Sequence, residues 1–82
     1  MENSPTTSIL RANALELSKV VNSDIEIDRN YILVSSSRPV VVKAKMEQLM
    51  KEKKMVRGTV TQFNSCVLYE LSEYALNNYY KS

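Results

Sequence analysis

The chain has 82 residues, 44% of them hydrophobic and 24% charged, with one cysteine, no histidine and a net charge of +2. This is the composition of one small globular domain spanning residues 1–82, of a size that removes only about 60–65% of its unfolded surface from water. A lone Cys66 excludes an internal disulfide, and the lack of histidine takes away the usual zinc ligand sets, the commonest general base and the serine and cysteine triads, so a non-enzymatic protein without metal or cofactor is expected.

Residues 1–6 are polar and expected to fray. Ser4-Pro5 opens a helix, with Ser4 as N-cap and Pro5 at the first helical position, where its missing N–H is harmless. Leu10, Ala14, Leu17 and Val21 then recur at helical spacing, with Arg11, Asn13, Glu16 and Lys19 elsewhere on the wheel. Asn22-Ser23-Asp24 ends that helix by competing for backbone hydrogen bonds. Ile25 and Ile27 alternate with Asp24, Glu26 and Asp28, and Asp28-Arg29-Asn30 leads into Tyr31-Ile32-Leu33-Val34, a β-hairpin pattern.

Pro39 marks the next boundary. Val40-Val41-Val42 suits a third strand, while a proline after serines and the shared spacing of Val42, Met46 and Leu49 suit a helix; the two alternatives stand for residues 40–44. From Met46 to Met55 almost every residue is a strong helix former, and Gly58, the only glycine, falls where a left-handed C-cap is expected. Thr59-Val60-Thr61-Gln62 reads as a capping box opening a helix that runs to about Tyr80. Its main stripe is Val60, Phe63, Val67, Leu71 and Ala75, with Leu68 beside it. A second stripe, Tyr69, Leu76 and Tyr80, makes it apolar on two sides, so a homodimer or another protein contact is expected. The fold class is therefore α+β: N-terminal helix, β-hairpin, a possible third strand, and a C-terminal helical hairpin with a long last helix.

Charge is unevenly placed. Residues 38–58 hold seven of the eleven Lys/Arg against two acids. Lys43, Lys45, Lys51, Lys53, Lys54 and Arg57 are candidate phosphate contacts, and the helix–glycine–helix corner beyond them would bring Thr61, Gln62 and Asn64 to a DNA groove. Tyr69, Leu76, Tyr79 and Tyr80 are candidate interface residues, because tyrosine is enriched at protein contacts. No apolar run approaches the roughly 20 residues of a membrane helix. The N-terminus lacks the basic and apolar regions of a secretory signal. A cytoplasmic protein that is not inserted in a membrane is expected.

A possible ribbon at residues 40–45, the helix at 46–55, Gly58 at the turn, and Tyr74-Ala75-Leu76 with Tyr79 near the end resemble the ribbon-helix-helix transcription regulators over about half of the chain. That resemblance implies a dimeric DNA-binding protein whose ribbon residues Val41, Lys43 and Lys45 read the major groove. The expected function is thus a small DNA-binding regulator. The alternative is a phage-type inhibitor or accessory factor that grips a protein target, for host takeover or lysis regulation, through the tyrosine-bearing C-terminal helix.

Overall fold

A computed structural model describes residues 5–71 as helix α1 (Pro5–Ser18), strands β1 (Asp24–Asp28) and β2 (Tyr31–Ser35), helix α2 (Pro39–Lys51), and strands β3 (Gly58–Gln62) and β4 (Cys66–Leu71). The four strands form one antiparallel sheet in the order β1-β2-β4-β3. The path is a helix followed by a hairpin, executed twice, and the sheet order is symmetric about the β2–β4 junction. Both helices begin on a proline, and α2 lies in the second half where α1 lies in the first.

The first half follows the sequence expectations. Pro5 opens α1, whose Leu10 and Leu17 are buried with Ile9. The β1–β2 hairpin pairs Asp28 with Tyr31 across the two-residue loop Arg29-Asn30. There Arg29 takes a left-handed φ of 49°, a conformation that L-residues other than Asn, Asp and Gly adopt at a cost. Asn13, placed off the apolar stripe of α1, is nonetheless one of its most buried residues.

Residues 40–44 are helical. Pro39 sits in the first turn of α2, and Ser36 Oγ accepts from the Arg38 N–H at 2.9 Å just before it. Val42, Met46 and Leu49 are the buried stripe of that helix, as the helical alternative required.

The second half departs from expectation. The helix expected from Thr59 onward is replaced, as far as Leu71, by the β3–β4 hairpin, so the described residues contain no helical hairpin; the rest of that expected helix lies outside them. The physical reason is that Val60, Val67 and Leu71 satisfy either period. Spacings of seven and four suit a helix, but Val67, Tyr69 and Leu71 also alternate strictly, and all three are buried. Thr59, Val60, Thr61 and Tyr69 prefer strand, and β2 offers β4 a full ladder of five paired residues. Phe63, assigned to the same stripe as Val67, lies at the hairpin tip and is 49% exposed.

Both helices pack on one face of the sheet, where Ile9, Leu10, Leu17, Val42, Met46, Leu49 and Met55 meet Ile32, Val34, Val67, Tyr69 and Leu71. Tyr69 is the largest fully buried side chain. Its hydroxyl donates to the Val56 carbonyl at 2.6 Å and accepts from Asn13 Nδ2 at 2.9 Å, while Asn13 Oδ1 accepts from the Val56 N–H at 3.1 Å. Two buried side chains and the half-buried Val56 backbone thereby close a ring that ties α1 and β4 to the α2–β3 connection. No buried side-chain polar atom among the described residues lacks a partner.

Candidate binding surfaces

The basic segment folds as a helix end and a connector rather than as half of a helical hairpin. Helix α2 stops at Lys51, and Lys53 takes a left-handed φ of 63°. The Lys54 N–H returns to the Leu49 carbonyl at 2.8 Å and the Lys53 N–H to the Met50 carbonyl at 3.1 Å. These two bonds are the Schellman pattern, with a lysine in the position that glycine usually takes. Gly58, expected to be that cap, lies beyond the connector and has no positive φ. It is needed for another reason: a Cβ there would stand 2.6 Å from the Glu70 carbonyl oxygen and 2.7–2.8 Å from the Tyr69 ring.

This geometry sorts the six nominated cations. Lys51, Lys53, Lys54 and Arg57 gather around the helix end, beside two shallow recesses of about 430 and 370 Å³. Lys54 approaches Glu52 at 3.6 Å, whereas Lys51, Lys53 and Arg57 make no ion pair among the described residues. Glu52 accepts from Gln48 at 2.9 Å, and that bond, helped by Lys54, holds its carboxyl below the ordinary value. Lys43 and Lys45 do not join the cluster as a pair. At 100° per residue they flank the buried stripe of α2 on opposite sides, Lys43 bonded to Glu47 at 3.0 Å and Lys45 in the cleft beside Val20 and Glu52. The residues assigned to a ribbon, 40–45, lie within α2.

The groove-reading residues are not beside this cluster. Thr61 and Gln62 are exposed on β3 and Asn64 is in the β3–β4 turn. Gln62 is four extended residues beyond Gly58, about 13 Å of strand. No helix presents Thr61, Gln62 and Asn64 to a groove, because the corner that would have done so is a strand entry. Tyr69, nominated for an interface, is 0% exposed, and burial pushes its hydroxyl up to about 12. It is a core residue. Leu76, Tyr79 and Tyr80 lie outside the described residues.

The other face of the sheet is not legible in the sequence, because it depends on which strand neighbours which. Strand alternation places Tyr31 and Leu33 of β2, and Cys66 and Leu68 of β4, on the side away from both helices, all half-buried. The register aligns Glu26, Leu33, Leu68 and Thr61 in one row across all four strands, and Asp28, Tyr31, Glu70 and Thr59 in the next. In the third row Asp24, Ser35 and Cys66 align, and the Phe63 N–H donates to the Cys66 carbonyl at 2.8 Å to close the hairpin. The result is an apolar strip on the two central strands, Tyr31, Leu33, Cys66 and Leu68, flanked by the exposed Ser35 and Glu70 and reached at the hairpin tip by Phe63. The Asp24, Glu26 and Asp28 carboxylates border it on one side. The usable signal was the strict alternation of residues 66–71, which makes Leu68 face away from Val67 and Tyr69.

Among the described residues no group of His, Cys, Asp or Glu is arranged to hold a metal ion, and no helix is long and apolar enough to cross a membrane. No protein-family model matches the chain, and neither characterised proteins nor solved structures yield a match.

Proposed function

We propose that this chain is a small non-enzymatic regulatory protein that acts by holding a protein partner on the helix-free face of its sheet. The observation that carries this reading is the strip Tyr31, Leu33, Phe63, Cys66 and Leu68, which no described element covers and which a row of carboxylates borders. Antiparallel sheets commonly leave one face to solvent, but that face is then polar by alternation. Here four of the six residues that the two central strands give to that face, Tyr31, Leu33, Cys66 and Leu68, are apolar or aromatic, with the exposed Ser35 and Glu70 among them and the β1 carboxylates at the rim. The reading keeps the alternative of a protein-binding inhibitor or accessory factor and moves its contact from the tyrosine-bearing C-terminal segment to the sheet.

The test is affinity capture combined with cross-linking mass spectrometry. Partners of the wild-type protein should cross-link next to residues 31–35 and 66–71 and be lost with Leu33→Lys/Leu68→Lys, while Lys51→Glu/Lys53→Glu retains them. The opposite pattern removes the proposal.

A second reading, DNA binding, is favoured by Lys51, Lys53 and Arg57 at the α2 end, which make no ion pair among the described residues. Without a groove-reading helix it reduces to sequence-independent phosphate contact. Three neutralised phosphates give a slope of about −3 in log affinity against log salt. Lys51→Glu/Lys53→Glu should abolish binding, and a flat salt response would exclude it.

A further inference from the structure

The two edges of the sheet occupy equivalent places in the repeated helix–hairpin path, yet they are protected very differently. Edge strand β1 reads Asp-Ile-Glu-Ile-Asp, with three carboxylates along five residues. Edge strand β3 reads Gly-Thr-Val-Thr-Gln, with no charge, no proline and strong strand formers at its centre. Charges and prolines are how proteins keep an edge from pairing with another chain. One edge is guarded and the other is open.

The hydrogen-bond phase of β3 shows what the open edge offers. The Phe63 N–H donates to the Cys66 carbonyl, so the closely bonded pairs of the β3–β4 ladder are 63 with 66, 61 with 68 and 59 with 70. Alternation turns the N–H and C=O groups of Gly58, Val60 and Gln62 outward, away from β4. Of these, only the Gly58 N–H has another partner among the described residues, the Met50 sulfur at 3.4 Å. Thr59, Thr61 and Gln62 are exposed and Val60 is half-buried, and α2 contacts β3 from the helix side of the sheet.

We propose that β3 pairs antiparallel with β3 of a second copy of this chain about a two-fold axis at Val60, joining the two sheets into one of eight strands. The segment is self-complementary in that register. Val60 exchanges both backbone bonds with the partner's Val60, the Gln62 N–H donates to the partner's Gly58 carbonyl, and the Gly58 N–H trades its Met50 sulfur for the partner's Gln62 carbonyl. Thr59 and Thr61 face the partner's Thr61 and Thr59, a favourable cross-strand pair without like charges. One step further out, Arg57 comes opposite the exposed ring of the partner's Phe63, where a cation can lie against the aromatic face. The same pairing through β1 would set carboxylates against carboxylates, so the charge pattern selects the edge. The two helix-free faces become continuous across the junction, doubling the surface assigned above to a protein partner. The dimer itself does not depend on that assignment.

Sedimentation equilibrium from micromolar to about millimolar protein should show a monomer–dimer equilibrium. Thr59→Lys/Thr61→Lys, at two exposed positions, sets lysines opposite lysines and should return the chain to monomer. Thr59→Lys/Thr61→Glu sets opposite charges across the axis and should keep the dimer. Amide exchange gives a second readout. Protection of Val60 and Gln62 should rise with protein concentration, while that of Thr59 and Thr61, bonded within the monomer, should not change with it. A chain that stays monomeric throughout, or a dimer unaffected by Thr59→Lys/Thr61→Lys, overturns the proposal. So does protection of Val60 and Gln62 only when a different protein is bound, which would assign the edge to a foreign strand.

Discussion

Tyr69→Phe isolates the ring of polar groups inside the core. The substitution keeps the aromatic ring against its neighbours and deletes one oxygen. That oxygen donates to the Val56 carbonyl at 2.6 Å and accepts from Asn13 Nδ2 at 2.9 Å. Both partners then lose a buried bond, and each unsatisfied group costs roughly 1–3 kcal/mol. With partial relaxation toward solvent at the connector, the expected loss is about 2–3 kcal/mol, a large share of the roughly 4–12 kcal/mol expected for a chain of this length. Asn13→Ala strips the Val56 N–H of its acceptor and the Tyr69 hydroxyl of a donor, so about 2–4 kcal/mol is expected there. Because the two residues bond each other, the double variant should fall short of the sum by about 1 kcal/mol or more. Urea denaturation followed by far-ultraviolet circular dichroism measures all four corners of the cycle, with an unchanged m value as the control for two-state behaviour. A Tyr69→Phe loss under about 0.5 kcal/mol, or strict additivity, would refute the claim that this ring ties the three elements together.

Gly58→Ala should destabilise by about 2–3 kcal/mol in the same assay, because the added methyl meets backbone and a buried ring rather than a flexible side-chain end. Lys53→Gly should do the reverse, stabilising by about 0.5–1 kcal/mol by relieving a left-handed lysine at the end of α2; a fall in melting temperature would contradict the cap geometry. Stability should also decline at alkaline pH through Tyr69. Its hydroxyl ionises near 10 in the unfolded chain but only at about 12 when buried. Between those values the unfolded state holds fewer protons, so stability present below pH 10 is lost as pH rises toward 12. Allowing for solvent screening near the connector, the loss is about 2 kcal/mol. Tyr69→Phe should remove that component of the alkaline limb.

Local chemistry made the first half of the chain readable. Pro5 and Pro39 start helices because a fixed φ and a missing N–H suit the first turn. Asp28-Arg29-Asn30 between an alternating run and a β-branched, aromatic one makes a hairpin because turn residues, period and strand propensity act over a few neighbours. Composition alone also separated the basic segment from the acidic strand. The second half turned on partners distant in sequence. Val60, Val67 and Leu71 fit a helical stripe and a strand face equally well, and β2, some thirty-five residues away from β4, chose between them by offering a ladder. Gly58 looked like a helix cap, since nothing local reveals that the Tyr69 ring will lie against it. Tyr69 looked like an interface residue, although its hydroxyl finds two buried partners from elements 13 and 56 residues distant. The candidate surfaces divide in the same way. The cations at the end of α2 follow from neighbouring residues, whereas the apolar strip and the unguarded edge exist only once four strands stand in order. Turns, caps and charge are decided within a few residues of chain; which face is covered and which strand is left at the edge are decided by pairing across it.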